Sequence, residues 1–286
     1  MDERALRKIV MEVIGREPAL DDCAVIPCGD TFLVASTDML HETTDFPEGI
    51  TDRQIGWMSV AVTLSDIAAM GADPWDILLA VGLDRASRLL DIMRGAKECC
   101  DTFGTRFSGG DLDHHRELTL VSSGIGATQN PIRRSGSRPG DLIGIVGIPG
   151  MAQAALDGYH QYDRVLFEPW PRIREGRILA RSGVTSMMDV SDGLIVSLYD
   201  LLEANPYGYG IETGRLPILD GMPRQSSREF ALTGGGDYLL LFTCPPASPP
   251  PPDEVEFTVI GKVIPDRVVR IDGEIAEMEG YQHHWS

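Results

Sequence analysis

Six short acidic blocks carry the chemistry this chain could do: Asp21-Asp22, Ser36-Thr37-Asp38, Ser65-Asp66, Gly109-Gly110-Asp111, Asp189-Val190-Ser191-Asp192-Gly193 and Gly234-Gly235-Gly236-Asp237. Nearly every one sets an aspartate beside a glycine or a hydroxyl residue, at the edge of an apolar run. Surface aspartates ordinarily sit among lysines and glutamates, whereas these neighbour residues such as Val25, Leu40, Ala68 and Leu194. Mg²⁺ takes oxygen ligands and usually bridges carboxylates to substrate phosphates. Tight glycine turns let backbone N–H groups approach those phosphates. The pattern reads as a metal–nucleotide site assembled from distant parts of the chain.

Each block also has a plainer reading. Asp192 before Gly193 suits the cap of a helix over 193–203. Asp141, after Pro139-Gly140, reads as a turn, and glycines 234–236 on their own could be a bend. The chain has no Gly-x-x-x-x-Gly-Lys loop and no Ser/His/Asp nucleophile signature. His114-His115 and His283-His284 are adjacent pairs whose side chains diverge, which argues against a shared zinc site.

The elements that must position these blocks follow from periodicity. Leu6, Ile9, Val10, Val13 and Ile14 form a helical stripe over 3–14. Short β-type runs at 23–26 and 31–35 flank a hairpin-like turn, Cys28-Gly29-Asp30. Residues 52–70 predict a closely packing helix rich in small residues, ending at Gly71 with Pro74 beyond. Strands are expected at 75–83 and 117–127, with a helix over 86–103 between them. The basic, turn-rich segment 133–141 is the linker candidate, which divides the chain into domains 1–138 and 139–286. Beyond it come a strand at 142–147, helices at 172–182 and 193–203 around a strand at 186–190, and strands at 238–243, 255–263 and 267–271. The proline-rich stretch 245–252 reads as a stiff surface connector. Strands and helices intermix without strict βαβ alternation, so the fold class is α+β.

Composition bounds the partners. The 286 residues suit two domains, and 43% hydrophobic content leaves no difficulty in burying cores. A formal charge of −18, from 43 acidic against 25 basic residues, argues against nucleic acid and against anionic membrane surfaces. Its main reading is solubility. No stretch reaches a membrane span of roughly 18 apolar residues, and the Met1-Asp2-Glu3-Arg4 start lacks a signal-peptide plan. Five cysteines, an odd number, read as reduced structural thiols, Cys99-Cys100 as helix-core residues. The expected location is cytoplasmic.

Eight motifs occur in an order that resembles thiamine-monophosphate kinase. They are Asp-Asp-Cys-Ala-Val at 21–25, Ser-Thr-Asp-Met-Leu at 36–40, Leu-Ser-Asp-Ile-Ala-Ala-Met-Gly-Ala-Asp-Pro at 64–74 and Gly-Gly-Asp at 109–111. Arg-Ser-Gly at 134–136, Pro-Gly-Asp at 139–141, Asp-Val-Ser-Asp-Gly-Leu at 189–194 and Gly-Gly-Gly-Asp-Tyr at 234–238 complete the set. The superfamily includes aminoimidazole ribonucleotide synthetase, selenophosphate synthetase and the hydrogenase-maturation protein HypE. The resemblance implies a homodimer, with an N-terminal β-sheet domain that joins across the dimer and a C-terminal α+β domain. It implies transfer of the ATP γ-phosphoryl group to thiamine monophosphate, with Mg²⁺ and ATP bound. It also implies metal ligation by Asp22, Asp38, Asp66, Asp111, Asp189 and Asp192, with oxygens from Ser36 and Thr37. Gly110 and Asp111 would face ATP, Arg134 its phosphates, and Ser191 would hydrogen-bond the nucleotide. No general base is expected, because the acceptor is already an ionised phosphate.

The chain departs from the family where the acceptor would sit. Asp45 precedes Phe46 where the family carries a His, and Gly236 stands in the place of a Glu. Thr63 replaces an Asn before Leu-Ser-Asp, and Met93 lies about where a Tyr is usual. Thiazolium is cationic, so Asp45 could attract it, Trp285 could stack on a ring, and Gly236 leaves room. Two other readings stay open: a same-superfamily ATP-dependent enzyme acting on a different phosphorylated or carbonyl substrate, and a non-catalytic nucleotide-binding assembly factor.

Overall fold

The computed structural model describes residues 3–16 and 20–281. Two sheets divide the chain between them. In the first half, α1 (Glu3–Ile14) precedes β1 (Ala24–Cys28), β2 (Thr31–His41), α2 (Asp52–Ala69), β3 (Asp73–Leu83), α3 (Leu89–Phe103), β4 (Arg106–Gly109), β5 (Leu112–His114) and β6 (Thr119–Thr128). The strands form a mixed six-stranded sheet in the order β1-β2-β6-β3-β4, with β5 also on β3. Cys28 pairs with Thr31, so Gly29-Asp30 closes the predicted hairpin. β2 continues past the expected residue 35, because residues up to His41 pair with β6. Ser36, Thr37 and Asp38 are therefore strand residues on alternating faces.

The second half contains β7 (Leu142–Val146), α4 (Met151–Leu156), α5 (Asp163–Phe167), α6 (Ile173–Arg181), β8 (Ser186–Val190), α7 (Leu194–Ala204), β9 (Gly208–Ile211), α8 (Arg224–Thr233), β10 (Leu239–Cys244), β11 (Thr258–Ile264), β12 (Val269–Ile271) and β13 (Glu274–Ile275). Its seven-stranded sheet runs β13-β12-β9-β11-β7-β10-β8. β10, Leu-Leu-Leu-Phe-Thr-Cys, lies between two neighbours and is buried along its whole length, as a continuous apolar run should be. Both sheets are mixed, and apart from the β3-α3-β4 crossover, whose strands pair in parallel, helices pack on them without strict βαβ alternation, giving the expected α+β class. Asp141 is a turn residue as expected: its carboxylate accepts from Arg138 N at 2.9 Å and Thr185 Oγ1 at 2.7 Å.

The helix α2 joins the two halves. Thr51 and Gln54 start it with reciprocal side-chain bonds to each other's backbone N–H. Glycines on α2 and on the helices against it let backbones come into contact: a Cβ on Gly56 of α2 would fall 1.9 Å from Ile92 O. A Cβ on Gly95 would fall 1.7 Å from Arg53 O, and one on Gly176 would fall 2.2 Å from Ala68 O. Leu64, Ile67 and Ala68 share one core with Ile77 and Leu120 of the first sheet and with Met187, Leu240 and Phe242 of the second. Among the described residues no helix is long and apolar enough to cross a membrane.

Two faces differ from the sequence expectation. The apolar stripe of α1 points outward, with Val13 78% exposed, while its basic face docks: Arg4 and Arg7 reach Asp200. On the first sheet, Trp75, Leu78, Ile125 and Met39 are exposed, opposite the face that packs on α2.

Candidate metal and nucleotide site

Three carboxylates from three elements meet where α2 crosses between the sheets. Asp22 precedes β1, Asp66 lies in α2 and Asp189 in β8, and each offers an oxygen within 4.8 Å of the others. Successive helix residues point about 100° apart, so α2 serves several partners from consecutive positions. Thr63 Oγ1 donates to Asp38 at 2.6 Å, Ser65 Oγ donates to Asp189 at 2.8 Å, and Asp66 accepts from Ser36 Oγ. The Thr63 hydroxyl thus supplies a donor to the Asp38 carboxylate.

Burial and mutual repulsion work against ionisation here. Asp189 is pushed up to about 8 by burial and by the Asp22 charge. Burial, then the charges of Asp38, Asp189 and Asp22, hold Asp66 well above the usual carboxylate range. Asp38 is raised by burial, against the Thr63 hydrogen bond. Asp22 is raised by burial although Arg134 opposes it. That arginine donates to Asp22 Oδ1 from Nε at 3.1 Å and from Nη2. Burial disfavours its charge, and Asp22, Asp200 and Asp189 more than restore it.

A cation fits this group. Asp22 Oδ2 is buried without a hydrogen-bond partner, an arrangement that costs free energy unless something satisfies the oxygen. Carboxylate oxygens crowded so closely are the donor set of a hard cation. Asp22, Asp66 and Asp189 are the residues that would hold it, with Asp38 next to them.

A cavity of about 720 Å³ opens beside the carboxylates, lined by Asp38, Asp66, Asp189, Ser191, Asp192, Asp45 and Gly236 among others. The structure therefore brings both sequence-predicted metal residues and the acceptor candidates Asp45 and Gly236 to one place. Helix α7 begins behind Gly193, whose φ of +106° favours glycine. Asp45 Oδ2 accepts from His41 N at 2.7 Å and Thr44 Oγ1 at 2.8 Å, so it also shapes its own loop. Gly236 has φ +88°, and a Cβ there would meet Ala152 Cβ at 3.3 Å. Asp237 lies apart, its carboxylate accepting from Gly150 N and Ala152 N at the start of α4.

Other predicted residues fall elsewhere. Thr37 Oγ1 bonds Ser122 O and Ser123 Oγ at 3.0 Å each, on the exposed face of the first sheet rather than among the carboxylates. Gly110 packs against the Leu79 backbone, and Asp111 lines a separate recess of about 240 Å³ with His41 and His115. Met93 is on α3 and is not among the residues lining the main cavity. Trp285 and the His283-His284 pair lie outside the described residues. Sequence reasoning missed Tyr238, which has φ +51° and lines the cavity, and the rim residues Glu229 and Tyr281. Only the Tyr238 position after a glycine run carried any signal.

Comparison with known proteins gives the family and the fold. Residues 20–128 match the family model of the AIR synthase related protein, N-terminal domain. Thiamine-monophosphate kinase of Methanospirillum hungatei is 47% identical over the whole of both chains. That of Halobacterium salinarum is 37% identical over 99% of this chain and 100% of the other. A solved structure of AaThiL complexed with AMPPCP and TMP superposes with a TM-score of 0.92 at 25% identity, covering 99% of this chain and 97% of that one. HypE in complex with ATP, at 17% identity and TM-score 0.70 over 88% of this chain and 85% of that one, shares the fold. The chain belongs to the thiamine-monophosphate kinase family.

Proposed function

We propose that the protein transfers the γ-phosphoryl group of ATP to thiamine monophosphate, forming thiamine diphosphate and ADP. The observation that carries this reading is the convergence of Asp22, Asp66 and Asp189 beside a cavity lined by Asp38, Ser191 and Asp192. Two polyanions must be brought together, and phosphoryl transfer is met mainly by positioning and charge neutralisation. Asp22, Asp66 and Asp189 would hold Mg²⁺, which when bound would supply positive charge to both phosphate groups. Arg134 is the arginine in reach of that region and would bind nucleotide phosphates. Ser191 would hydrogen-bond the nucleotide, with Gly110 and Asp111 on the ATP side. Met58, Val62, Phe46 and Leu166 give the cavity apolar walls, against which an aromatic acceptor can pack. Asp45, Gly236 and Trp285 are the acceptor-side residues, Asp45 facing the thiazolium charge.

The unit is a cytoplasmic homodimer of two-domain chains, 1–138 and 139–286. The uncovered apolar face carrying Met39, Leu78 and Ile125 supports the dimer, since a second copy would remove it from water. The test is ADP formation by the purified protein with Mg²⁺, ATP and a panel of phosphorylated acceptors. Turnover with thiamine monophosphate is expected. Normal ATP binding without ADP formation on that acceptor would move the enzyme to another substrate of the same superfamily.

A further inference from the structure

Arg134 stands between two carboxylates rather than one. Its Nε and Nη2 are on Asp22, while Nη1 lies 3.6 Å from Asp200 Oδ2. Asp200, on α7, has a side chain only 8% exposed, and its other oxygen accepts from Arg4 Nη2 at 2.8 Å and Arg7 Nη1 at 3.0 Å. One buried carboxylate therefore ties the N-terminal helix to the arginine that borders the metal-binding group. Asp22 serves two opposed purposes in this arrangement. It is a candidate metal ligand, and it holds the guanidinium. Arg134 takes Asp22 Oδ1 and leaves Oδ2 to a cation, but a cation on the same carboxylate repels the guanidinium, which then needs a second anchor if it is to stay in place.

We propose that Asp200 is the positioning residue for Arg134, keeping its guanidinium within reach of the nucleotide phosphates when a metal ion takes Asp22. The inference rests on the kinase reading for the ligand, and on the distances above for the residue. A buried guanidinium keeps a partner. With the Asp22 charge shared with a metal, Asp200 is the second carboxylate that holds it, and the phosphate oxygens are further acceptors. The geometry assigns each oxygen of Asp200 a separate task, Oδ1 to α1 and Oδ2 to Arg134, so the two can be separated experimentally.

The experiment is isothermal titration of the full chain with a non-hydrolysable ATP analogue in saturating Mg²⁺, with melting curves on the same samples. Four proteins are compared: the unaltered chain, Asp200→Asn, the Arg4→Gln/Arg7→Gln double variant, and the triple variant combining them. The triple variant removes Asp200 without leaving Arg4 and Arg7 unpaired, which keeps the test usable if Asp200→Asn alone fails to fold. The double variant should melt at a lower temperature with a nucleotide Kd within about twofold of the unaltered chain. Loss of the charge-assisted anchor should raise Kd about tenfold in the triple variant relative to the double. A fifth protein, Asp200→Glu in the same double-variant background, keeps the charge and should restore most of that loss. An equal Kd in triple and double variants, or a double variant as weak as Asp200→Asn, would reduce Asp200 to an anchor for α1 and overturn the proposal. Absence of nucleotide binding by the unaltered chain would overturn the kinase reading and this inference together. Binding without phosphorylation of thiamine monophosphate would overturn only the acceptor, and the Kd comparison would stand.

Discussion

Without metal, the protein should lose stability as the pH rises from 6.5 to 7.5. The Asp189 carboxyl is pushed up to about 8 by burial and by the Asp22 charge, against about 3.9 in an unfolded chain. Between those values the folded protein holds a proton that the unfolded chain has already released. The unfolded state then binds fewer protons, so stability falls with rising pH. One such group contributes about 1.4 kcal/mol per pH unit. Asp66, raised by burial and by its acidic neighbours, acts in the same direction. Asp237, raised to about 6 by burial, acts mostly below this window. The lowered carboxylates Asp76, Asp84, Glu98, Glu117 and Asp272 act only at acidic pH. For a chain of this size the Asp189 contribution corresponds to a Tm drop of roughly 2–5 °C. Saturating Mg²⁺ should remove the slope, because it takes the ionised form, and add about 2.7 kcal/mol at a hundredfold excess over its Kd. Scanning calorimetry in EDTA and in Mg²⁺ at both pH values, on the unaltered chain and on Asp189→Asn, reads both effects. An EDTA Tm that stays level or rises between pH 6.5 and 7.5, or an Asp189→Asn variant that keeps the whole slope, would refute the reasoning.

Asp189→Asn combined with Asp192→Asn should abolish both the Mg²⁺-dependent gain in Tm and ADP formation while circular dichroism stays native; full activity would sink the metal assignment. Arg134→Met leaves the Asp22 carboxylate buried without its cation and should cost about 3–5 kcal/mol in EDTA, partly recovered in Mg²⁺, as urea unfolding would show. Light scattering should give about twice the 31.2 kDa chain mass, and Leu78→Lys, on the open sheet face, should shift it to monomer; a native monomer at micromolar concentration would contradict the dimer. Trp285→Ala should raise KM for thiamine monophosphate with little change for ATP, and a change confined to ATP would remove Trp285 from the acceptor side.

What could be read in the sequence was what local chemistry records. Asp22, Asp66 and Asp189 betrayed themselves by sitting against apolar neighbours, and Ser186–Val190 and the α2 span appeared with nearly their final bounds. Residues 36–41 look polar enough for a loop, yet pairing with β6 makes them strand, an outcome set by a partner about 80 positions away. β9, Gly-Tyr-Gly-Ile, hides because its glycines carry no strand signal; a Cβ on Gly208 would fall 2.0 Å from Asp266 O, so the packing demands what the propensity disfavours. α8, Arg-Gln-Ser-Ser-Arg-Glu-Phe-Ala-Leu-Thr, is too polar to show a clear apolar stripe. Its Glu229, like Tyr281, reaches the cavity through tertiary placement that no short motif encodes. The inverted α1 is instructive for the same reason: Arg4 and Arg7 choose its docked face, and their acceptor Asp200 is about 195 residues distant.

The edge position of β8 has a consequence in time. Among the described residues, the strand partner of the strand carrying Asp189 is β10, which ends at Cys244. Synthesis proceeds from the N-terminus at about 5–20 residues per second. The first sheet can close once Thr128 has emerged, with Asp38 and Asp66 already in place on β2 and α2. Asp189 cannot be seated for another hundred or so residues, an interval of roughly 6–25 s. Throughout it Ser65 lacks its carboxylate and the repulsive cluster is incomplete, so the early half folds without meeting the full electrostatic penalty. The penalty falls on the closing step, where a cation can offset it as it arises. A chain that stops short of β10 lacks the strand that seats Asp189, so the three-carboxylate site awaits synthesis through Cys244.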